Sequence, residues 1–215
     1  MKKGGKFLGV LLAVCMVITM NVVSAYADSS VPVTRWDNYA ATKFAGGTGT
    51  KDDPYRIENG EQLAKLAKDV SARNTHKGEY FRLEKNVDLS AHRWIPIGDF
   101  GGSSYKSFEG FLDGNCKTIS GMVVDQSKDQ QSAGLFGYIS NATKGNEVGV
   151  KDLTIANAAL YVDESILADP KGFVSAGILV AGAMVNDGYK GTGVFENISV
   201  SGTITVKATN GYNKI

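Results

Sequence analysis

The hydrophobic runs of this sequence are short, and small polar residues interrupt them again and again. In SFEGFLDGNCKTISGMVVD, from Ser107 to Asp125, apolar residues stand at almost every second or third position, with glycines between them. Beyond RWIPIGDF, at residues 93–100, no window of 11 residues carries a helical stripe of apolar side chains. Because half-buried strands alternate their side chains and turns favour glycine and asparagine, this pattern predicts many short strands.

Two pairs of segments repeat along the chain, and the repeat makes the prediction more specific. VKDLTIANA at residue 150 aligns with FENISVSGT at residue 195, an offset of 45 residues. SAGLFGYI at residue 132 resembles SAGILVAGAM at residue 175, an offset of 43, with extra residues between the glycines of the second copy. The first alignment superimposes three apolar pairs: Val150 with Phe195, Leu153 with Ile198, and Ile155 with Val200.

A third segment, TISGMVV, places Ile119, Met122 and Val124 at the spacing of the apolar residues in VKDLTI. One such unit cannot bury its own inward side chains, whereas parallel stacking at ~4.8 Å forms a continuous apolar core. Helical crossovers would need about 10 or more residues of helical period between strands, and the sequence lacks them. The sequence therefore predicts a mostly β fold, a right-handed parallel β-helix with an N-terminal α-helical cap. An antiparallel sandwich is the alternative.

The cap region is predicted at residues 44–98 and contains the one clear amphipathic helix, at about residues 60–73. Asn59 is a suitable N-cap, and Gln62 three residues later completes a box-like pair. The rungs of the β-helix are expected over residues 99–215, cut short at the C-terminus. The helix stripe is Leu63, Leu66, Ala67 and Val70, and the inward residues expected after it are Phe81, Leu83, Val87, Leu89, Trp94, Ile95 and Ile97.

The first 27 residues are typical of a secretory signal peptide. Three lysines precede an apolar stretch from Phe7 to Val23, and Ala25-Tyr26-Ala27 forms an A-x-A cleavage sequence before Asp28. A retained membrane anchor is the competing interpretation, but no stop-transfer pattern follows. Residues 28–43 are predicted to form a flexible leader. We therefore expect a secreted or cell-surface protein without a stable membrane span after cleavage.

Cleavage would remove three lysines and no acidic residue, which leaves 188 residues with 20 basic and 22 acidic side chains, a net charge of −2. This near-neutral balance gives no long-range field that would gather nucleic acid, so nucleic-acid binding is not expected. Cys15 lies in the signal peptide and Cys116 remains alone, so the mature chain has no intrachain disulfide. We expect Cys116 to be a small packed side chain, with a nucleophile or an intermolecular bridge as alternatives.

Five blocks of the sequence resemble bacterial surface proteins with GLUG-type repeats, including regions beside immunoglobulin A protease domains. The blocks are FAGGTGTKDDPYRIENGEQLAKLAK, YFRLEKNVDLSAHRWIPIG, FEGFLDGNCKTISGMVV, AGLFGYI and VKDLTI, and they cover roughly Phe44 to Val206. The resemblance implies a cap with one helix and then β-helical rungs on an exported protein, and it carries no catalytic set. Cys116 stands where the family usually has a glycine, and GILVAG is looser than the usual GLFG block.

Candidate catalytic residues are few. A β-helical polysaccharide lyase or hydrolase needs carboxylates and a basic residue on one outer face, and the candidates are Asp113, Asp125, Asp152 and Lys151. A turn role in DGN is a sufficient explanation for Asp113. His76 and His92 are the only histidines and form no H-E-x-x-H motif, so a zinc peptidase site is absent and His92 is predicted to lie in a surface turn.

Tyrosines that follow glycine-rich turns could line a sugar-binding flank; they are Tyr138, Tyr161, Tyr189 and Tyr212. The glycine-rich loop in FAGGTGTKDDPYRI has the spacing of neither a phosphate loop nor an EF-hand, so it is predicted to be a turn. The sequence predicts no catalytic residue, no metal site and no cofactor.

We therefore expect an exported, non-catalytic β-helical surface scaffold or adhesin-like module that presents a binding face to host or cell-surface ligands. The expected partners are an extracellular glycan or protein, further C-terminal domains, or a second chain that pairs end to end. One alternative is a polysaccharide lyase or glycoside hydrolase on the same fold. Another is the non-catalytic N-terminal portion of a larger secreted protease.

Overall fold

The computed structural model describes residues 31–100, 105–126, 132–140, 147–163, 175–184 and 192–207. The predicted signal peptide at residues 1–27, Tyr189, Tyr212 and the C-terminal residues 208–215 lie outside the described residues. A 3-10 helix spans Trp36–Tyr39 and helix α1 spans Gly60–Ser71. The strands are β1 (Tyr55–Ile57), β2 (Tyr80–Leu83), β3 (Val87–Asp88), β4 (Phe111–Ser120), β5 (Val123–Asp125), β6 (Ser132–Ala133), β7 (Phe136–Ser140), β8 (Glu147–Asp163), β9 (Ser175–Ala176), β10 (Val180–Met184) and β11 (Thr192–Lys207).

These named strands pair in parallel and form three sheets. The largest sheet has the order β1-β2-β4-β8-β11, with β3 also on β4 and β5 also on β8. The two smaller sheets pair β7 with β10 and β6 with β9. A mostly β fold with parallel sheets is confirmed, and helix α1 precedes the longer strands in the chain.

The predicted repeat offsets are confirmed by the strand register. In the first half of β8 and β11, Val150 lies opposite Phe195 and Ile155 lies opposite Val200, at the offset of 45. Ser132 lies opposite Ser175 at the offset of 43. The extra residue in the second copy is taken up after β9, because Val180 lies opposite Phe136 at an offset of 44.

The apolar spacing of TISGMVV predicts no register by itself, and the strand pairing supplies one. Ile119 pairs with Ile155 rather than with Val150, and Val124 pairs with Leu160, so the offset is 36 residues. Strand β8 carries the same apolar spacing a second time in its own second half, where Ala158 occupies the middle position. An alanine contributes little to a hydrophobic pattern, so this second copy was missed.

Helix α1 forms where the pattern predicts it and buries all four residues of its stripe. The Asn59 side chain accepts a hydrogen bond from the Gln62 amide at 3.0 Å, and Gln62 Oε1 accepts from the Glu58 amide at 2.7 Å. The helix ends at Ser71, two residues earlier than predicted, because Arg73 adopts a φ of 73°. Among the described residues, no helix is both long enough and apolar enough to cross a membrane.

The helix stripe packs on the inward side chains of the first strands, which form one apolar cluster with it. The inward residues predicted between positions 81 and 97 are all buried: Phe81, Leu83, Val87, Leu89, Trp94, Ile95 and Ile97. Trp94 donates its indole N–H to the Leu135 carbonyl at 3.1 Å, which satisfies this buried polar group. The apolar cluster continues from the first strands to Leu135 and to Phe136 in β7.

Trp36 anchors the segment predicted to be a flexible leader, in which the other residues from 31 to 43 are half-buried or exposed. Trp36 is buried, its amide donates to the Arg93 carbonyl at 3.0 Å, and its indole N–H donates to the Leu89 carbonyl at 3.0 Å. Its ring lies so close to Gly60 that a Cβ there would come within 2.4 Å. The sequence did not indicate this anchor, because one buried tryptophan in a polar segment produces no periodic signal.

Strand β11 is the terminal strand of the largest described sheet, and four of its apolar side chains, Phe195, Val200, Ile204 and Val206, are exposed. Phe195 and Val200 are each 46% exposed, whereas their partners Val150 and Ile155 in β8 are 0% exposed. The exposure of Val206 is 55%. The residues of β8 and β11 are equally apolar, so their difference in exposure comes from coverage. Strand β11 covers β8, and no described strand covers β11 in the same way.

Candidate functional site

Three of the four candidate catalytic residues lie together, and the fourth is elsewhere. Lys151 Nζ lies 3.6 Å from Asp113 Oδ2 and 3.7 Å from Asp152 Oδ2. The register explains this, because Asp113 lies directly opposite Lys151 on neighbouring strands. Asp125 is buried at the end of β5, where its partner is Tyr161. The sequence did not indicate which of these carboxylates share a surface.

The two carboxylates beside Lys151 also accept hydrogen bonds that stabilise the corners of the strands. Asp113 Oδ1 accepts the Asn115 amide at 2.8 Å, which confirms the predicted turn role. Asp152 has a φ of 51° within β8, and its Oδ1 accepts from Asn197 Nδ2 at 2.8 Å. The group is thus a row of polar corner residues on successive strands, in which every carboxylate has a structural partner. Exposed pairs of this kind contribute only about 0–1 kcal/mol each.

The same corner contains Cys116, and the prediction of a packed thiol was wrong. The Cys116 thiol is exposed. Asn115 and Cys116 adopt φ values of 50° and 56°, and two successive residues in this region form a corner inside β4. The corner directs the Cys116 side chain away from the apolar core. A smaller residue could adopt the same backbone conformation there.

Tyr138 does not lie on an outer flank, where tyrosines that follow glycine-rich turns could bind sugars. Its side chain is buried, and its ring centroid lies 5.0 Å from that of Phe100 and 5.7 Å from that of Tyr105. Burial raises the pKa of Tyr138, and the Ser140 side chain opposes part of this increase. Tyr161 is half-buried, and the two remaining tyrosines fall outside the described residues.

Replacing Tyr138 with Phe is expected to reduce the loss of stability at alkaline pH. The raised pKa means that the folded state keeps the phenol protonated while the unfolded chain releases the proton near pH 10, so the free energy of unfolding falls as the pH rises above about 10. Urea denaturation of both proteins from pH 8 to 11 measures this, with the exposed Tyr39→Phe as the control. Parallel losses in all three proteins would contradict the burial of this phenol.

The glycine-rich loop is a turn, as predicted, and its amides are already used. The amides of Thr48 and Gly49 both donate to the Asp53 carbonyl at 3.0 Å. The Asp53 carboxylate pairs with Arg56 at 2.7 Å. A phosphate would need those amides and calcium would need that carboxylate, so the loop is a structural element that leads into β1.

A charged contact ties this loop to the first residue of β8. Lys51 Nζ lies 3.0 Å from Glu147 Oε2, and the Tyr80 hydroxyl donates to the same oxygen at 3.3 Å. The hydrogen bond to Glu147, followed by its charge, raises the pKa of Lys51. Burial, followed by the Glu147 charge, raises the pKa of Tyr80. The contact fixes the loop against the sheet.

Sequence reasoning missed a cleft of about 370 Å³ between helix α1, the glycine-rich loop and the turn after the helix. Its lining includes Phe44, Lys65, Asp69, His76 and Glu79. The turn brings these groups together, because Arg73 and His76 adopt φ values of 73° and 55°. The only sequence signal for this cleft was the spacing of Asp69, His76 and Glu79. Many loops without a cleft have the same spacing.

The geometry around His76 is unusual for a loop histidine. Its side chain is buried, with 4% of the residue exposed, although it lines the cleft. Nδ1 lies 2.5 Å from Glu79 Oε2, and Nε2 lies 3.3 Å from Asp69 Oδ2. His92, in contrast, follows the prediction of a surface turn more closely: it is half-buried, stacks on Tyr39 and contacts the Thr34 hydroxyl at 2.6 Å.

Comparison with known proteins shows two similar chains. One carries the name Gly-rich membrane protein and comes from Evansella cellulosilytica; it is 31% identical over 163 residues, which are 73% of this chain and 15% of that protein. The other is Halomucin from Haloquadratum walsbyi, 29% identical over 181 residues, which are 80% of this chain and 2% of Halomucin. The chain thus spans a small fraction of either relative. No family model matches the chain, and no solved structure matches it.

Proposed function

We propose that this chain is an exported bacterial surface protein whose strands wind into a right-handed parallel β-helix, and that it acts as a non-catalytic scaffold. One observation carries the proposal. Strands β6, β7 and β8 follow one another along the chain, and each pairs in parallel with the strand three places later, in three separate sheets. A three-sided coil satisfies all three pairings at once, and right-handed crossovers are the rule for parallel strands.

The proposal of a surface location rests on the predicted signal peptide and on the relatives. Their names, a Gly-rich membrane protein and Halomucin, are compatible with a protein at the cell boundary. The resemblance to surface proteins with GLUG-type repeats leads to the same proposal. A stiff coil would present its flat sides to an extracellular glycan or protein, while the activities of the much longer relatives are not transferred to this chain.

The location can be tested in a bacterial host that secretes the chain. We expect the N-terminus of the exported protein to be Asp28 and the protein to be digested by protease added to intact cells. Ala25→Arg is the matched control, because a large charged residue in the A-x-A sequence prevents cleavage. Retention of the wild-type chain in the cytoplasm with residues 1–27 intact would contradict export.

The absence of catalysis is also part of the proposal. Asp113 and Asp152 share a surface with Lys151, which is the one arrangement that favours the alternative of a polysaccharide lyase or hydrolase. Reducing-end assays on a panel of acidic and neutral polysaccharides would test it, with Asp113→Ala and Asp152→Ala beside Asp125→Ala as the variant outside the group. Product release by the wild-type chain that only the first two variants abolish would contradict a pure scaffold.

The exposed apolar row of β11 supports pairing with a further strand. Phe195, Val200 and Val206 occupy the places that are covered in the strand before, and a parallel strand of the same apolar spacing would cover them in the same way. We propose that either a following segment or a second chain provides that strand.

A further inference from the structure

The two ends of the largest sheet differ in how their outer backbone groups are paired. In β1, the Arg56 amide donates to the Gly46 carbonyl at 2.9 Å, and the Arg56 carbonyl accepts from the Ala45 amide at 2.9 Å. The glycine-rich loop therefore covers this end of the sheet. No described strand takes the corresponding place on β11, and we call the uncovered side of residues 192–207 the open edge.

One corner is repeated on three successive strands of this sheet. Asn115 in β4, Asp152 in β8 and Asn197 in β11 adopt φ values of 50°, 51° and 52°. The amides at this corner donate to the strand before them: Asn115 Nδ2 to the Leu83 carbonyl at 3.0 Å, and Asn197 Nδ2 to Asp152 Oδ1 at 2.8 Å. Among the described residues, Asn197 Oδ1 makes no hydrogen bond, so this acceptor is available at the open edge.

We propose that the open edge binds an extended segment of another polypeptide as one more parallel strand, and that this segment carries a side-chain amide opposite Asn197. The incoming amide would donate to Asn197 Oδ1, as Asn197 itself donates to Asp152. An apolar side chain of the segment would cover Phe195 in the way that Phe195 covers Val150. In strand addition of this kind, backbone hydrogen bonds supply the affinity and side chains supply the specificity. Such a strand extends the coil proposed above, on which its placement depends.

A second copy of this chain fits the open edge less well than a parallel strand does. Its β1 is already paired with its own loop, so β11 is the strand that it offers at the other end of the same sheet. Two copies of β11 related by a two-fold axis run antiparallel. Pairing Val200 with Ile204 in that arrangement keeps apolar residues together, but it places the Asn197 corner opposite Lys207.

The alternative antiparallel register aligns the irregular positions and separates the apolar ones. Strand β11 has a corner at Asn197 and a register shift at Ser201, between Val200 and Gly202. Pairing Asn197 with Ser201 places Phe195 opposite the polar Thr203. In a parallel strand of the same repeat, the corner and the apolar row align in one register, as they do between β8 and β11. The open edge therefore favours a parallel strand over a second copy of itself.

Fluorescence anisotropy with the full chain and a labelled synthetic peptide of residues 192–207 tests the proposal. We expect saturable binding of one peptide per chain and slower hydrogen exchange in β11 of the chain when the peptide is bound. Asn197→Asp in the peptide should weaken binding about 2–12-fold, because the isosteric carboxylate cannot donate and one net hydrogen bond is lost. A peptide with the same residues in reverse order is the control for strand direction, and it should bind much more weakly.

Substitutions in the chain locate the bound peptide. Val200→Asp should abolish binding, because the added strand would bury the new carboxylate, whereas Ser199→Asp is the matched control on the opposite face of β11 and should leave binding unchanged. Three results would overturn the proposal: no binding by the wild-type chain, equal binding of the reversed peptide, or a dimer of the chain that Val200→Asp dissociates. If Val200→Asp does not fold, the two altered peptides still decide the outcome. A chain whose β8 and β11 can be joined by a disulfide at Thr154→Cys and Ser199→Cys, but which binds no peptide, would overturn the added strand and leave the coil intact.

Discussion

Replacing Phe81 with Ala is expected to lower the free energy of unfolding by about 3–5 kcal/mol, the usual cost of removing a buried aromatic ring. Phe81 is 0% exposed and lies where the helix side of the core meets the sheet. Its ring centroid is 5.4 Å from that of Phe44 and 5.9 Å from that of Phe108. Truncation would leave a cavity among aromatic rings that cannot close without moving β2 or helix α1.

Urea denaturation followed by circular dichroism measures this loss. Phe195→Ala is the matched control, because it removes the same ring from a strand of the same sheet where the residue is half exposed, and a change of only about 0.5 kcal/mol is expected there. Equal effects of the two substitutions would contradict the assignment of Phe81 to the core and of Phe195 to an uncovered row.

Replacing Gly149 with Ala is expected to detach β11 from β8. Gly149 has a φ of 146°, and a Cβ there would lie 1.9 Å from the Val194 carbonyl oxygen of the neighbouring strand. Strain at such a φ and overpacking each cost about 1–3 kcal/mol, so the sum is about 2–6 kcal/mol. Because β11 is a terminal strand of the described sheet, separation of the two strands is the easiest way to relieve the clash.

Hydrogen exchange resolved by mass spectrometry measures the effect as faster exchange in peptides that cover residues 192–207. Gly182→Ala is the control, because its added methyl group would have its nearest neighbour at 3.5 Å, an ordinary contact. Unchanged protection of β11 in Gly149→Ala would mean that the two strands do not approach as closely as described.

Periodic features of the fold could be predicted from the sequence, and isolated ones could not. Helix α1 and the pairing of Val150 with Phe195 each depend on apolar residues that recur at regular spacing, which is visible in a single chain. Trp36 is one buried residue in a polar segment, and Ala158 is an apolar position occupied by a small residue. Neither contributes to a period, so the anchoring role of Trp36 and the second spacing in β8 were missed.

The side-chain groups around Lys151 and His76 were harder to predict, because strand register or a turn brings their residues together. Asp113 and Lys151 come together through strand register, which the repeat alone did not supply for β4. Asp69 and His76 come together through a turn with two left-handed non-glycine residues, Arg73 and His76 itself. Side-chain pattern carries almost no information on such backbone conformations, so the imidazole between two carboxylates became visible only in the structure.

Disulfide trapping tests the stacked parallel register most directly. In a Cys116→Ser background, Thr154→Cys with Ser199→Cys places two thiols on directly opposed positions of β8 and β11, within the Cα separation that a disulfide requires. We expect rapid formation of an intrachain bond, and little with Thr154→Cys and Val200→Cys, because successive side chains of a strand point to opposite faces. No bond in the first pair, or equal bonding in both, would contradict the parallel stacking at an offset of 45 residues.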